Sequence, residues 1–391
     1  MGNSIIITKL QDRLQVFHMV ENQIDRLFVE PEDTTDVYPN GTIVIGKIRK
    51  IVNGIHGAFL SLGSKMEYFM PLPKAGDANV WLLNRTFDGS LKCDDEIVVQ
   101  VTRQPIKSKQ PAVDCHISLE GLYCVLDNSE KGLQVSSKLP VKTVKEFKAL
   151  FAGVMFDEED FKLVIRTNAG FAENHQQVYD DYLALADCYK RLKAIYNSRV
   201  CYSVLYHPDS TYLKTVKDIP RNHYEEIITD LPDVYEALGQ KGYSCIRFYE
   251  DASYPLYKLY SLETKQQELM QKKVWLKSGG FLVIEQGETL TAIDVNSGKN
   301  DKKTDVCYAT NLEAVHEIFR QIRARNISGM ILIDFINMKE AAQLDSLIQS
   351  VREEIKKDYV RCQYIDMTGL GLMEITREKK LPSLQEIYRI D

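Results

Sequence analysis

No two of the eight cysteines (Cys93, Cys115, Cys124, Cys188, Cys201, Cys245, Cys307 and Cys362) stand in a Cys-x-x-Cys pair. The usual ligand spacing of a zinc site is therefore missing, and no zinc is expected. The opening Met1-Gly2-Asn3-Ser4-Ile5-Ile6 has neither the basic start nor the apolar core of a secretory signal. It also lacks the Ser or Thr at position 6 that a myristoylation motif wants. Reduced thiols in a cytoplasmic protein are the expectation. No apolar run approaches the roughly 20 residues that span a bilayer, so no membrane partner is expected. An excess of positive charge is absent too. A net charge of −6 excludes a uniformly basic nucleic-acid coat, yet it leaves room for RNA binding through local basic patches. There is no internal repeat and no low-complexity linker.

The 391 residues, 44% apolar and 27% charged, suffice for roughly two to four compact domains. Residues 1 to 38 read as strand, turn and strand, with an acidic end at Glu30-Pro31-Glu32-Asp33. From Gly41, short β-rich segments (Thr42 to Ile45, Ala58 to Leu62, Tyr68 to Met70, Glu96 to Val101) are punctuated by Gly and Pro, as in a small barrel of the OB-fold kind. Residues 120 to 205 mix strand text at Leu163-Val164-Ile165 with a helical stretch near Tyr179 to Tyr196, and 206 to 270 again look mixed. The C-terminal third is the clearest. Phe281 to Ile284, Leu290 to Asn296 and Met330 to Ile336 read as strands. One helix, with Leu312, Val315, Phe319 and Ile322 on a single face, should end near Asn326 to Gly329; a second carries Leu344, Leu347, Val351 and Ile355. This alternation predicts a parallel, buried sheet covered by helices.

Two of those strands each carry a lone acid in an apolar setting, Ala292-Ile293-Asp294-Val295-Asn296 and Leu332-Ile333-Asp334-Phe335-Ile336. An unpaired buried carboxylate is costly, so such an acid belongs at a strand end, where α/β folds place their sites. Asp294 and Asn296 are two apart and leave the same face of the strand. If the strands are neighbours, Asp294, Asn296 and Asp334 converge. Two carboxylates and an amide suit Mg²⁺, a hard cation that keeps waters and leaves positions for a phosphate. Spacing alone leaves the plainer alternative open, in which both acids cap helices or pair with Lys or Arg. Gly41-x-x-x-x-Gly46-Lys47 nearly spells a P-loop. Ile48 stands where Ser or Thr is required, and the intervening residues are strand text, so nucleotide hydrolysis is rejected.

At these residues the sequence resembles the ribonuclease E/G family. The matching segments are Val274-Trp275-Leu276-Lys277-Ser278-Gly279-Gly280, Ala292 to Ser297, Asn311-Leu312-Glu313-Ala314, Gln321 to Asn326, Ile333 to Ile336, and Gly371 to Arg377, the last matching that family's terminal helix signature. More weakly, Gly46-Lys47-Ile48 and Ala58-Phe59 through Phe69-Met70-Pro71-Leu72 resemble its OB-fold domain, and Ile117 to Gly121 with Ile165-Arg166-Thr167 its 5′-end sensor. The resemblance implies an α/β multi-domain chain. An RNase H-like domain (1–38 and 206–270) would be split by an OB-fold RNA-binding domain (39–119) and a 5′-sensor domain (120–205), followed by a DNase I-like catalytic domain (271–391). It implies that Asp294 and Asp334 hold Mg²⁺, or Mn²⁺ in its place, and that Asn296 orients the attacking water or the metal shell. Arg166 and Thr167, with Gly121 and Val125, would take a 5′-monophosphate. Phe59 and Phe69 would stack bases, although two such residues in a small barrel are commonly core. Lys47, Arg49, Lys50, Lys107 and Lys109 would touch backbone, and Arg361 would lie near the active site.

The sequence departs from the family in four places. Asn337 replaces a second acid, Gly369 and Leu370 replace an arginine and a phenylalanine, and Ser137-Lys138 replaces a paired-arginine stretch. The chain ends at Asp391, before the family's zinc-link and small domain, so no zinc-bridged oligomer is required. The expected function is Mg²⁺-dependent hydrolysis of single-stranded RNA, in rRNA or tRNA processing or mRNA decay. The alternatives are an RNA-binding protein of the same fold with little or no nuclease activity, and, more weakly, a DNA nuclease.

Overall fold

The computed structural model describes residues 2–30, 37–74, 77, 79–105, 110–156, 158–251, 253–298, 304–338, 340–358 and 360–388. The chain forms two compact units, Met1–Glu32 with Thr211–Asp391, and Asp33–Ser210. It opens with three antiparallel strands, β1 (Ser4–Leu10), β2 (Arg13–Val20) and β3 (Gln23–Val29). Both connections are two-residue turns with positive φ throughout, Gln11 and Asp12 at 53° and 59°, Glu21 and Asn22 at 49° and 64°. This turn geometry matches the natural twist of a hairpin.

In the second unit, β4 (Ile43–Val52), β5 (Gly57–Ser61), β6 (Glu67–Pro71), β7 (Glu96–Arg103) and β8 (Ala112–Asp114) close a five-stranded, OB-like barrel in the order β4-β5-β6-β8-β7, with β7 returning to β4. Alternate residues turn inward, among them Val44, Ile48, Leu60, Tyr68, Met70, Ile97 and Val99. Four further strands, β9 (Ser118–Glu120), β10 (Cys124–Asp127), β11 (Gly132–Val135) and β12 (Lys162–Ile165), pair in the order β11-β12-β10-β9. Helix α1 (Val141–Leu150) lies between β11 and β12 in the chain, and α2 (His175–Ile195) follows β12. The Asn174 side chain starts α2 by accepting from the Gln177 amide at 3.1 Å. Strand β13 (Val204–Tyr206) pairs with the start of β4.

Back in the first unit come α3 (Thr211–Asp218), β14 (Glu226–Thr229), α4 (Pro232–Gln240), β15 (Ile246–Phe248), α5 (Leu256–Leu259) and α6 (Leu262–Leu269). Strand β14 pairs parallel with β1, completing a sheet ordered β15-β14-β1-β2-β3. The last sheet contains β16 (Lys273–Trp275), β17 (Phe281–Gln286), β18 (Leu290–Asn296), β19 (Gly329–Asp334), β20 (Cys362–Met367) and β21 (Leu372–Arg377), in the order β16-β17-β18-β19-β21-β20. Helices α7 (Thr304–Ala324) and α8 (Ala341–Lys357) belong to it, and the short α9 (Leu384–Tyr388) ends the described chain.

Two expectations change here. The sheet is mixed rather than parallel, because β18 and β19, joined through α7, are a parallel pair while the other neighbouring pairs are antiparallel. It is also covered on one face only. Thr291, Ile293 and Val295 are buried, whereas Leu290, Ala292 and Asp294 between them are exposed. The buried side packs on Ala314, Val315, Ile318, Phe319 and Ile322 of α7. The segment Leu372–Arg377, matched to a terminal helix signature, is β21. Met373, Ile375 and Arg377 are buried in alternation, the period of a strand wedged between two neighbours. Behind it, Arg377 donates to Asp358 (Nε to Oδ2, 2.7 Å) with both side chains at most 2% exposed. Among the described residues no helix is long and apolar enough to cross a membrane.

Candidate active site

Asp294 and Asp334 are register partners on the parallel strands β18 and β19. Both project from the open face and are exposed. Their backbones are one strand spacing apart, about 5 Å. Among the described residues neither carboxylate has an ion-pair partner, so two acids stand side by side with no described cation to neutralise them. Neither acid caps a helix or pairs with Lys or Arg among the described residues. Asn296 lies on the same face and donates its Nδ2 to Asp294 Oδ2 at 2.6 Å, which fixes that carboxylate's rotamer.

The strand ends are held by close backbone packing. A Cβ on Gly280 would lie 2.7 Å from the Asn296 carbonyl, and one on Gly298 2.4 Å from the Gly279 carbonyl. Only glycine lets the turn after β16 approach the end of β18. The segment after β19 is pinned by the buried Asn311 side chain of α7, which donates to the Ile336 carbonyl at 2.8 Å and accepts its amide at 3.0 Å. Asn337 follows directly, on the segment that leaves Asp334.

Sequence reasoning missed further acids on this face. Glu374 of β21 is opposite Leu332, two residues from Asp334, and Asp366 of β20 is opposite Glu374. Glu285 of β17 is opposite Ala292. Once Leu372–Arg377 is read as a strand with apolar residues at 373 and 375, Glu374 has to point to the open side. Arg361 is not brought to the carboxylates. It precedes Cys362, which is opposite Arg377, itself opposite Gly329. That is the other end of β19, roughly 16 Å from Asp334 along the strand.

The remaining candidates lie in the second unit. Phe59 and Phe69 are cross-strand partners on β5 and β6, with ring centroids 5.8 Å apart in an edge-on arrangement. They alternate with the buried Ala58, Leu60, Tyr68 and Met70, so they face out of the barrel and are not its core. Lys50 is opposite Phe59, continuing the row. Gly57 makes room for it, since a Cβ there would lie 2.2 Å from the Phe69 ring. Arg49 donates to the Tyr202 hydroxyl at 3.1 Å and Lys47 pairs with Asp94 at 3.0 Å. Lys107 and Lys109 lie outside the described residues.

Arg166 at the end of β12 donates its Nη1 to the Gly121 carbonyl at 3.2 Å, and Thr167 Oγ1 is 2.9 Å from Ser136 Oγ. Val125 of β10 is opposite Val164. Arg166, Thr167 and Gly121 are thus gathered at one edge. The turn between them is held by Asp181 of α2, whose carboxylate accepts the amides of Leu122 (3.1 Å), Tyr123 (2.8 Å) and Cys124 (2.8 Å). A side chain on Gly121 would collide with that carboxylate at 2.3 Å.

Ribonuclease E of Buchnera aphidicola subsp. Acyrthosiphon pisum is 29% identical over 99% of this chain and 44% of its own length. Ribonuclease E of Escherichia coli is 29% identical over 99% of this chain and 38% of its own. Ribonuclease G of Salmonella typhimurium is 26% identical over 89% of this chain and 74% of its own. The chain thus spans less than half the length of these ribonuclease E relatives. The family model described as the ribonuclease E/G family matches residues 118–380, which takes in Asp294, Asn296 and Asp334, and the chain belongs to the ribonuclease E/G family.

Proposed function

We propose that this chain is a divalent-metal-dependent endoribonuclease that hydrolyses single-stranded RNA, with Asp294 and Asp334 holding Mg²⁺ and Asn296 positioning Asp294. The observation that carries the reading is the pair of in-register carboxylates on an open sheet face, without a cation partner among the described residues. Like charges placed directly opposite on neighbouring strands are destabilising, and a hard cation bound between them removes that cost. The donor set fits Mg²⁺ or Mn²⁺: oxygen ligands, no thiol or imidazole, and room for waters and a phosphate oxygen. When bound, the metal polarises the scissile phosphate and lowers the pKa of coordinated water. The protein's part is to fix the two carboxylates by strand register and to lock the Asp294 rotamer through Asn296.

The outward-facing row of Lys50 and the half-buried Phe59 and Phe69 supports a place where unpaired bases stack while an ammonium meets a phosphate. Arg166 and Thr167, beside Gly121 and Val125, are proposed to read a 5′-monophosphate, the guanidinium by charge-assisted hydrogen bonds and the hydroxyl by one more. Substrates would be rRNA or tRNA precursors or mRNA. The domain roles expected from the sequence belong to the same proposal: an RNase H-like part, an OB-fold, a 5′-sensor and a DNase I-like part.

The test is cleavage of a labelled, A/U-rich single strand bearing a 5′-monophosphate, with Mg²⁺ or EDTA, by parent, Asp294→Asn and Asp334→Asn. Internal cuts should require the metal and vanish in both variants. RNA binding with no metal-dependent cut would favour a binding protein of this fold instead. Cleavage of DNA as fast as RNA would assign a general nuclease.

A further inference from the structure

The open face of the β16–β21 sheet is acidic, with Glu285, Asp294, Asp334, Asp366 and Glu374 on it. At its β16 edge the chemistry reverses. Lys273 and Trp275 are two apart on β16 and share a face, and Trp275 is opposite Phe281 of β17, which is opposite Asn296 of β18. The Lys273 ammonium forms no ion pair among the described residues. It lies 4.0 Å from the Trp275 ring centroid and 3.7 Å from that of Phe281, and the two rings are 5.4 Å apart. Trp275 nonetheless remains 65% exposed. A large indole left in water, propped by a second ring and capped by a cation that ignores the acids nearby, has no packing purpose.

We propose that Trp275, Phe281 and Lys273 form a nucleobase-stacking subsite, taking an unpaired base of single-stranded RNA on the indole and an adjacent phosphate on the ammonium. The subsite rests on the nuclease reading above and adds to it the nucleotide next to the scissile bond. Trp275 is two strand spacings from Asn296, as Lys273 is from Asp294, each about 10 Å. An RNA strand whose phosphate sits at the carboxylates reaches this edge with a neighbouring nucleotide. The indole supplies a π-face that accepts any base, so the subsite favours unpaired over paired RNA without reading sequence. Lys273 supplies positive charge at the border of this acidic face.

The protein carries its own probe. Of the two tryptophans, Trp81 is 5% exposed and stacked on Tyr196, so a change in tryptophan emission on adding RNA reports Trp275. The experiment uses the full chain with Asp294→Asn in EDTA, titrated with an A/U-rich single strand and with the matching duplex. The single strand should quench emission and the duplex should not. By anisotropy of labelled RNA, Trp275→Ala should weaken binding about fivefold to a hundredfold, the range for losing one base stack. Trp275→Phe should restore most of it, and Lys273→Met should lower the salt slope of log K by about 1. Binding of Trp275→Ala within twofold of its parent, or equal quenching by duplex, would overturn the subsite. Failure of the nuclease reading is seen separately, as stacking and quenching in a protein that never cuts; a protein that cuts but shows no quenching keeps the nuclease and loses the subsite.

Discussion

Replacing Asp334 by Asn should make the metal-free protein more stable while abolishing its proposed activity. The carboxylates of Asp294 and Asp334 leave adjacent strands in register on the exposed face. At about 5 Å in water their repulsion is about 0.8 kcal/mol, and salt reduces it to about half at physiological ionic strength. Neutralising one partner removes that term and leaves a side chain of the same shape. For a folded unit of this size, a gain of about 0.4–0.8 kcal/mol corresponds to roughly 1–3 °C in Tm. The assay is thermal unfolding followed by circular dichroism, with EDTA and with saturating Mg²⁺. In EDTA, Asp334→Asn should melt above the parent. Mg²⁺ should raise the parent's Tm and barely move the variant's, so the curves converge or cross. A variant that melts below the parent in EDTA would refute the reasoning, because the two acids would then be held by favourable contacts and would not be waiting for a cation.

Three more outcomes are expected. Arg377→Ala removes the nearest cation from the Asp358 carboxylate, 0% exposed, leaving Arg26 at 3.9 Å, and should cost about 3 kcal/mol in denaturant unfolding; a loss under about 1 kcal/mol would mean that water reaches the pair. Asp25 is buried, which pushes its carboxyl up, but His18 and Arg323 outweigh burial and hold it well below the usual carboxylate range. Its folded pKa is depressed, so its stabilisation is present above the unfolded pKa and is lost as pH falls through acid; Asp25→Asn should be less stable at pH 7 and lose less than the parent on acidification, checked by melts across that range. Gly57→Ala places a methyl against the Phe69 ring, and RNA affinity should fall by about 1–3 kcal/mol if that ring stacks a base, with unaltered affinity excluding Phe69 from the RNA path.

The strands bearing Asp294 and Asp334 were legible because each is an apolar run broken by one acid, and the motifs around them are long enough to carry a family. Their direct register was not. It depends on α7 crossing to an adjacent strand and not to one further along the sheet, which the Leu312 to Ile322 periodicity leaves unspecified. The open face was hidden for a related reason. Ala292, Val283 and Leu332 are apolar yet partly or wholly exposed, so composition reads as burial on both sides. Glu374 and the displacement of Arg361 both follow from β21 running antiparallel between β19 and β20, a hairpin that no local signal distinguishes from a helix end. Phe59 and Phe69 show the limit in the other direction. Two such residues in a small barrel are commonly core, and only the closed barrel, with Leu60 and Tyr68 inside, shows that they face outward.

The parallel pairing of β1 with β14 has a consequence for synthesis on the ribosome. Thr8 on β1 meets Asp230 just beyond β14, 222 residues later. At typical elongation rates that interval is about 10–45 s. During that time β1, β2 and β3 can form hairpins but not their sheet, and the edge of Ile5, Ile6 and Ile7 that β14 will cover stays open. Such an edge is a template for the wrong strand. The intervening unit, by contrast, has all its strand partners within itself and can close while the N-terminus waits. The nascent chain should therefore hold a finished inserted unit beside an unfinished host sheet, and the waiting β1 edge is the place where a chaperone would be needed.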